Sequence, residues 1–87
     1  MSSGAIVTVE QLRSARAALR WSINDLSEKA GVSIRTIKMV EANEGEPKCR
    51  PQTLDRLRVT LEAAGIEFIG TPEDAPGIRI HSVPPKS

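Results

Sequence analysis

Apolar residues recur three or four positions apart from Val7 to Ala64, which is the spacing of helices that bury one face. Three helix starts share one arrangement, in which apolar residues stand immediately before and four positions after a capping residue. The apolar pairs at these starts are Val7 with Leu12, Trp21 with Leu26, and Val32 with Ile37. A fourth helix is predicted to begin at Pro51, whose missing N–H is not needed in a first turn, and to stop at Gly65.

The segment Ser22–Glu41 organises the rest of the helical pattern. Ser22 is suited to cap one helix, Gly31 to end it, and Ser33 to cap the next. Apolar residues then fall on the facing sides of the two short helices, at positions 26, 30, 37 and 40. Two capped helices joined by a short turn that contains Gly are typical of a helix-turn-helix.

The period of the pattern changes after Gly65. Residues 66–69 and 77–81 are rich in β-branched side chains and alternate, so they predict a hairpin whose strands are joined by a long loop at 71–76. Two strands alone are marginal in water, so this hairpin must pack on the helices or pair with a second copy. An exposed strand edge favours the second possibility, through the apolar residues Ile66, Phe68, Ile78 and Ile80.

The expected organisation therefore has four parts. Residues 1–7 form a flexible lead-in, 8–65 the helix-turn-helix domain, 66–81 a hairpin that serves as a dimerisation element, and 82–87 a disordered tail.

The residues of the central segment resemble one known family. Ala30-Gly31-Val32-Ser33, Thr36-Ile37 and Glu41 are similar to the Cro/C1-type (XRE) helix-turn-helix of phage repressors and bacterial regulators, and the resemblance extends over Val9–Ala64. It implies a mainly α, lambda-repressor-like bundle of four helices, here followed by a β-hairpin, and a sequence-specific DNA-binding regulator. One position departs from the family, because Ile23 stands where a Gln often holds the DNA backbone.

The resemblance also implies which residues contact DNA bases. Ile34, Arg35 and Met39 occupy the positions that face bases, and Lys38 lies beside them at the wall of the groove, so these four form the predicted base-contacting set. Arg35 is the strongest candidate, since a guanidinium matches the O6 and N7 acceptors of guanine. Ile34 suits a thymine methyl group; its alternative role is core packing, although Ile37 and Val40 already supply the inner stripe.

Other residues are predicted to contact the phosphates or to support the motif. A helix N-terminus and nearby basic side chains favour anions, which gives the phosphate-contacting set Ser22, Asn24, Ser33, Arg20, Lys48 and Arg50. The alternative for the basic members is an ordinary solvated surface charge. Arg16 and Glu41 occupy the positions of a structural ion pair in the family.

Composition narrows the function only a little. The 87 residues suffice for one small domain, and a net charge of +1 is weak for a nucleic-acid binder. Trp21 is expected to pack against the core, the alternative being a platform on which a base stacks. The only Cys, Cys49, is expected to be an incidental thiol, and His81 has no second His or Cys at metal-ligand spacing. We therefore expect no metal or cofactor.

The sequence argues against an enzyme, because the chain has one His, one Cys, no Tyr and no Gly-rich phosphate loop. Two other functions remain. The first is a transcriptional regulator, most simply a dimeric repressor that binds double-stranded DNA in the cytoplasm, at the nucleoid, with no membrane contact. The second is an antitoxin-like or adaptor protein whose C-terminal strands bind a protein partner. The sequence does not give the operator, the genes regulated or the sign of regulation.

Overall fold

The computed structural model describes residues 7–81, so the predicted tail and nearly all of the predicted lead-in lie outside the described residues. Four helices come first: α1 Val9–Ala18, α2 Ile23–Ala30, α3 Ile34–Glu41 and α4 Pro51–Ala63. An antiparallel hairpin follows, formed by β1 Ile66–Thr71 and β2 Asp74–Ile80. The expectation of a mainly α helix-turn-helix bundle with a C-terminal hairpin is confirmed.

The helices begin where their capping residues predict. Thr8 and Gln11 form a reciprocal capping box at the start of α1, with bonds of 2.8 and 3.1 Å. Ser22 caps α2, and the Ser33 hydroxyl accepts the N–H of Thr36 at the start of α3. These caps use backbone donors that the first turn of a helix otherwise leaves unbonded.

The core is aliphatic and lies where the four helices and the first strand meet. Its fully buried side chains include Leu26, Ile37, Leu57, Leu61 and Ile66. Val7, the last residue of the predicted lead-in, is only 2% exposed and belongs to the same cluster. The staple position of Val7 explains this burial, since a residue before the cap packs back onto the first turns of its helix.

The hairpin packs on the helices of its own chain, with β1 against α4 and β2 against α1. Gln11 joins the two parts. Its side-chain amide nitrogen donates to the carbonyl oxygens of Ile69 at 2.9 Å and Gly77 at 2.8 Å, while its oxygen accepts the Thr8 N–H. One buried amide therefore caps α1 and holds both strands.

The prediction of a long hairpin loop is wrong. The strands pair as far as Thr71 and Asp74, which leaves only Pro72 and Glu73 between them. The register of the strands shifts between Ile69 and Thr71, and Gly70 lies at this irregularity with a φ of +77°. Only Gly fits there, because a Cβ would lie 2.2 Å from the Ala75 carbonyl oxygen.

The structure also changes the picture of the predicted dimerisation residues. Ile66 is 1% exposed inside the core of its own chain, so its side chain is not available to a second copy. Phe68 and Ile78 are half-buried and pack against that core, and only Ile80 is largely exposed, at 58%. The hairpin gains its stability from the helices, which was the other possibility that the sequence left open.

We predict that Gln11→Glu destabilises the protein by about 3 kcal/mol, because the change removes both amide donors and leaves a carboxylate beside two carbonyl oxygens. Urea unfolding followed by the fluorescence of Trp21, the only Trp, measures the loss. Gln52→Glu is the matched control, since Gln52 is exposed in the first turn of α4. Equal midpoints for the two variants would contradict the role given to Gln11.

Candidate nucleic-acid interface

The outward face of α3 carries two large apolar and two basic side chains. Ile34 is 39% exposed and Met39 is 60% exposed, and Arg35 and Lys38 are exposed as well. The inner face is complete without them, because Ile37 and Val40 are buried. All four predicted base-contacting residues therefore lie on the solvent-exposed side of one helix. Ile34 is not part of the core, which was the alternative role considered for it.

The C-terminal end of α3 is fixed to α1 by the residues expected to form an ion pair. Arg16 donates from Nε and Nη2 to the two carboxylate oxygens of Glu41, each at 2.8 Å, and from Nη1 to the Trp21 carbonyl oxygen at 2.9 Å. The hydrogen bonds to Glu41 raise the pKa of the Arg16 guanidinium. Arg13 adds a bond of 3.0 Å to the backbone carbonyl of Glu41. These contacts determine the direction in which α3 projects from the bundle.

The loop between α3 and α4 is held to α1 at one residue. The Val9 N–H donates to the Gly45 carbonyl at 2.7 Å, and the Gly45 N–H donates to the Glu10 carboxylate at 3.1 Å. The backbone N–H of Glu10 itself, followed by that of Gly45, lowers the pKa of the Glu10 carboxyl. The loop therefore leaves α3 along a defined path.

Two of the predicted phosphate contacts meet α3 across a cleft of about 370 Å³. Lys48 and Arg50, at the end of the loop, line this cleft together with Met39 of α3. Thr36 and Thr53 line it too, and the sequence analysis missed both hydroxyls. The sequence contained a signal for Thr36, because it stands three residues after the Ser33 cap, in the first turn of α3. Thr53 stands three residues after Arg50, the cap of α4, whose side chain makes no capping hydrogen bond.

The other predicted phosphate contacts stand at the start of α2 and at the cap of α3. The Ser22 N–H is already bonded to the Asp25 carboxylate at 2.9 Å, so it is not free for a phosphate. This N–H, followed by the Ser22 hydroxyl, lowers the pKa of the Asp25 carboxyl. Asn24 is exposed, whereas Ile23 packs against the core. The Ser33 hydroxyl donates to Thr36 at 2.8 Å. The available donors here are therefore fewer than the sequence suggested.

Arg20 ends α1 in a conformation that usually belongs to Gly. Its φ is +59°, its N–H donates to the Ala17 carbonyl at 2.9 Å, and the Trp21 N–H donates to the Arg16 carbonyl at 3.0 Å. This bond pattern is a Schellman motif, in which Gly is the preferred residue at the left-handed position. A residue with a Cβ costs about 1–2 kcal/mol there. The side chain of Arg20 is exposed.

The cations of the chain divide into paired and unpaired groups. Arg58 is paired with Asp55 and Glu62 on α4, and Arg79 with Glu67 on the hairpin. In the part of the chain that the structure describes, no carboxylate lies within ion-pair distance of seven exposed cations, namely Arg20, Lys29, Arg35, Lys38, Lys48, Arg50 and Arg56. The small net charge therefore conceals a group of unneutralised cations on and around the helix-turn-helix.

The remaining candidates have structural surroundings. Trp21 packs against the core, and the Lys29 ammonium lies 5.1 Å from its ring centroid. Burial raises the pKa of the half-buried Cys49 thiol. The His81 ring nitrogen Nε2 lies 2.8 Å from the Glu67 carboxylate.

Residues 7–81 contain neither a candidate metal-binding cluster nor a helix suited to span a membrane. No three His, Cys, Asp or Glu side chains in this range are arranged to hold a metal ion. None of the helices described is long and apolar enough to cross a membrane.

Comparison with known protein families gives a match to the helix-turn-helix segment. A protein-family model described as Helix-turn-helix matches residues 12–48, which begin within α1, contain all of α2 and α3, and end in the loop before α4. The matched range includes the whole of the predicted base-contacting set. No curated protein and no solved structure matches the chain at the significance required.

Proposed function

We propose that the chain is a Cro/C1-type DNA-binding transcription regulator, and specifically a dimeric repressor that inserts α3 into the major groove. The match of residues 12–48 to a helix-turn-helix family model supports the DNA-binding part of this proposal. The observation that carries this proposal is the outward face of α3, where Arg35 and Lys38 have no carboxylate partner within residues 7–81 and two apolar side chains remain exposed. An isolated protein gains nothing from that combination. A helix that meets base edges uses both kinds of side chain.

The proposed phosphate contacts form two groups. Lys48 and Arg50 border the cleft beside α3, where Thr36 and Thr53 add hydroxyl groups. Arg20 and Asn24 stand near the start of α2, at the end of the strained turn after α1. Phosphate contacts of this kind fix the register of a protein on DNA without reading sequence.

Dimerisation follows from the energetics of reading DNA. One module offers three or four base contacts, each worth about 1–3 kcal/mol of discrimination, and the net charge of +1 supplies little general attraction. Two copies on half-sites about 34–36 Å apart recover the missing affinity. A dimer bound to its operator in the cytoplasm most simply represses transcription.

The protein should select a palindromic operator from a random duplex pool, and Arg35→Ala should weaken binding to that operator by about 1–3 kcal/mol and relax one base position in each half-site. Arg79→Ala is the matched control, because Arg79 pairs with Glu67 on the hairpin and is 62% exposed. Competition with single-base variants measures both effects. Unchanged affinity and selectivity in Arg35→Ala would show that α3 does not dock in this way.

Arg20→Gly should change stability and DNA affinity in opposite directions. Gly relieves the left-handed strain at φ +59°, which raises the free energy of unfolding by about 1 kcal/mol. Loss of a phosphate contact lowers affinity for all duplexes and reduces the salt slope by about one. Arg20→Ala is the control, since it removes the same charge and keeps the strain. Wild-type affinity in both variants would exclude Arg20 from the interface.

The dimer is proposed to use the hairpin, whose exposed apolar residue is Ile80. Ile80→Glu should convert a sedimenting dimer to monomer, because it places like charges at a two-fold contact. Val59→Glu, which changes a 49% exposed residue on α4, should leave the dimer intact. Dissociation by Val59→Glu alone would assign the contact to α4. A wild-type monomer would instead favour the second candidate function, an adaptor or antitoxin-like protein that binds a partner through the hairpin.

A further inference from the structure

We infer that the outward face of α3 reads a 5-methylpyrimidine beside a guanine, so that binding depends on the methyl group of thymine or of 5-methylcytosine. This inference rests on the proposed function and adds to it the chemistry of the half-site.

The first support is where the exposed apolar side chains lie. Among residues 7–81 the large hydrophobic side chains that remain exposed are Ile34, Met39, Val59 and Ile80, so half of them belong to the eight-residue helix α3. Neither Ile34 nor Met39 is needed for the inner face of α3, which Ile37 and Val40 complete. Ile34 and Met39 therefore leave apolar surface on α3 that a partner outside the chain can bury.

The second support is what this face lacks. Its exposed residues within the helix are Ile34, Arg35, Lys38 and Met39, which include no amide and no carboxylate. A paired donor and acceptor for adenine, as Asn or Gln supplies, is therefore absent, and so is the carboxylate that accepts from cytosine N4. Arg35 and Lys38 offer donors for guanine O6 and N7, and the apolar residues have only one partner in the major groove, the C5-methyl group of a pyrimidine.

The third support is the spacing of these side chains. Arg35 and Met39 are four residues apart and are neighbours on the helix surface, and Ile34 directly precedes Arg35 at the N-terminal end that enters the groove. Arg35 and the apolar Met39 are therefore neighbouring positions on the exposed surface of α3. A guanine adjoining a methylated pyrimidine presents the complementary pair, with acceptors on one base and a methyl group on the next.

The methyl group is tested by adding and removing it without changing base pairing. In the selected operator, the pyrimidine next to the guanine read by Arg35 is made thymine, deoxyuridine, cytosine or 5-methylcytosine, and Kd is measured for each duplex. Burial of one methyl group corresponds to about fourfold in Kd per half-site, hence roughly 15-fold for a two-half-site operator. The two methylated bases should bind tighter than their unmethylated counterparts by this factor.

Variants connect the effect to the helix. Ile34→Ser and Met39→Gln should each reduce the thymine-to-deoxyuridine ratio of Kd, while Val59→Ser, which changes an exposed apolar residue outside α3, should keep it. If thymine binds tighter than deoxyuridine while 5-methylcytosine and cytosine bind equally, the contact is made to the thymine methyl group. If the methylated base binds tighter in both comparisons, cytosine methylation also controls binding. Specific binding with equal Kd within both pairs overturns this inference and leaves the proposed function intact. Failure to enrich any operator overturns the proposed function itself.

Discussion

The ion pair between Arg16 and Glu41 determines the geometry on which the rest of the surface depends. Both carboxylate oxygens of Glu41 are bonded, and the third donor of Arg16 goes to the Trp21 carbonyl, so the pair also fixes the turn between α1 and α2. The Glu41 side chain is only 9% exposed and that of Arg16 20% exposed, so removal of either partner would leave a charge poorly solvated. The direction of α3 thus depends on a contact outside the face proposed to read DNA.

Helix α1 makes no part of the proposed base-reading surface, yet it holds the hairpin, the end of α3 and the loop before α4. Glu10 holds the loop that leads to Lys48 and Arg50, and Gln11 holds the hairpin. Arg13 and Arg16 hold the end of α3. Successive turns of one short helix therefore position the loop, the strands and the helix-turn-helix, which explains how a small aliphatic core supports a precisely oriented surface.

The sequence predicts local features of this fold much better than distant ones. Capping residues such as Thr8 and Ser22 act within one turn, so the helix starts follow directly from their pattern. The bonds from Gln11 join residues 58 and 66 positions apart, and no periodicity reveals them. The short turn depends on left-handed conformations at Gly70 and Ala75, and Ala is not a residue that signals one. The ion pairs of Arg16 and Arg79 likewise join residues distant in sequence, whereas Arg58 pairs within its own helix.

The position of Gln11 has a consequence for the order of folding. Its bonds to Ile69 and Gly77 close loops of most of the chain, and contacts of such separation form after local helices have formed. On the ribosome, the helix-turn-helix is therefore synthesised well before the strands that complete the environment of α1. The amide of Gln11 remains solvated until those strands emerge, and the chain acquires its final rigidity only when the last of its described residues have been made.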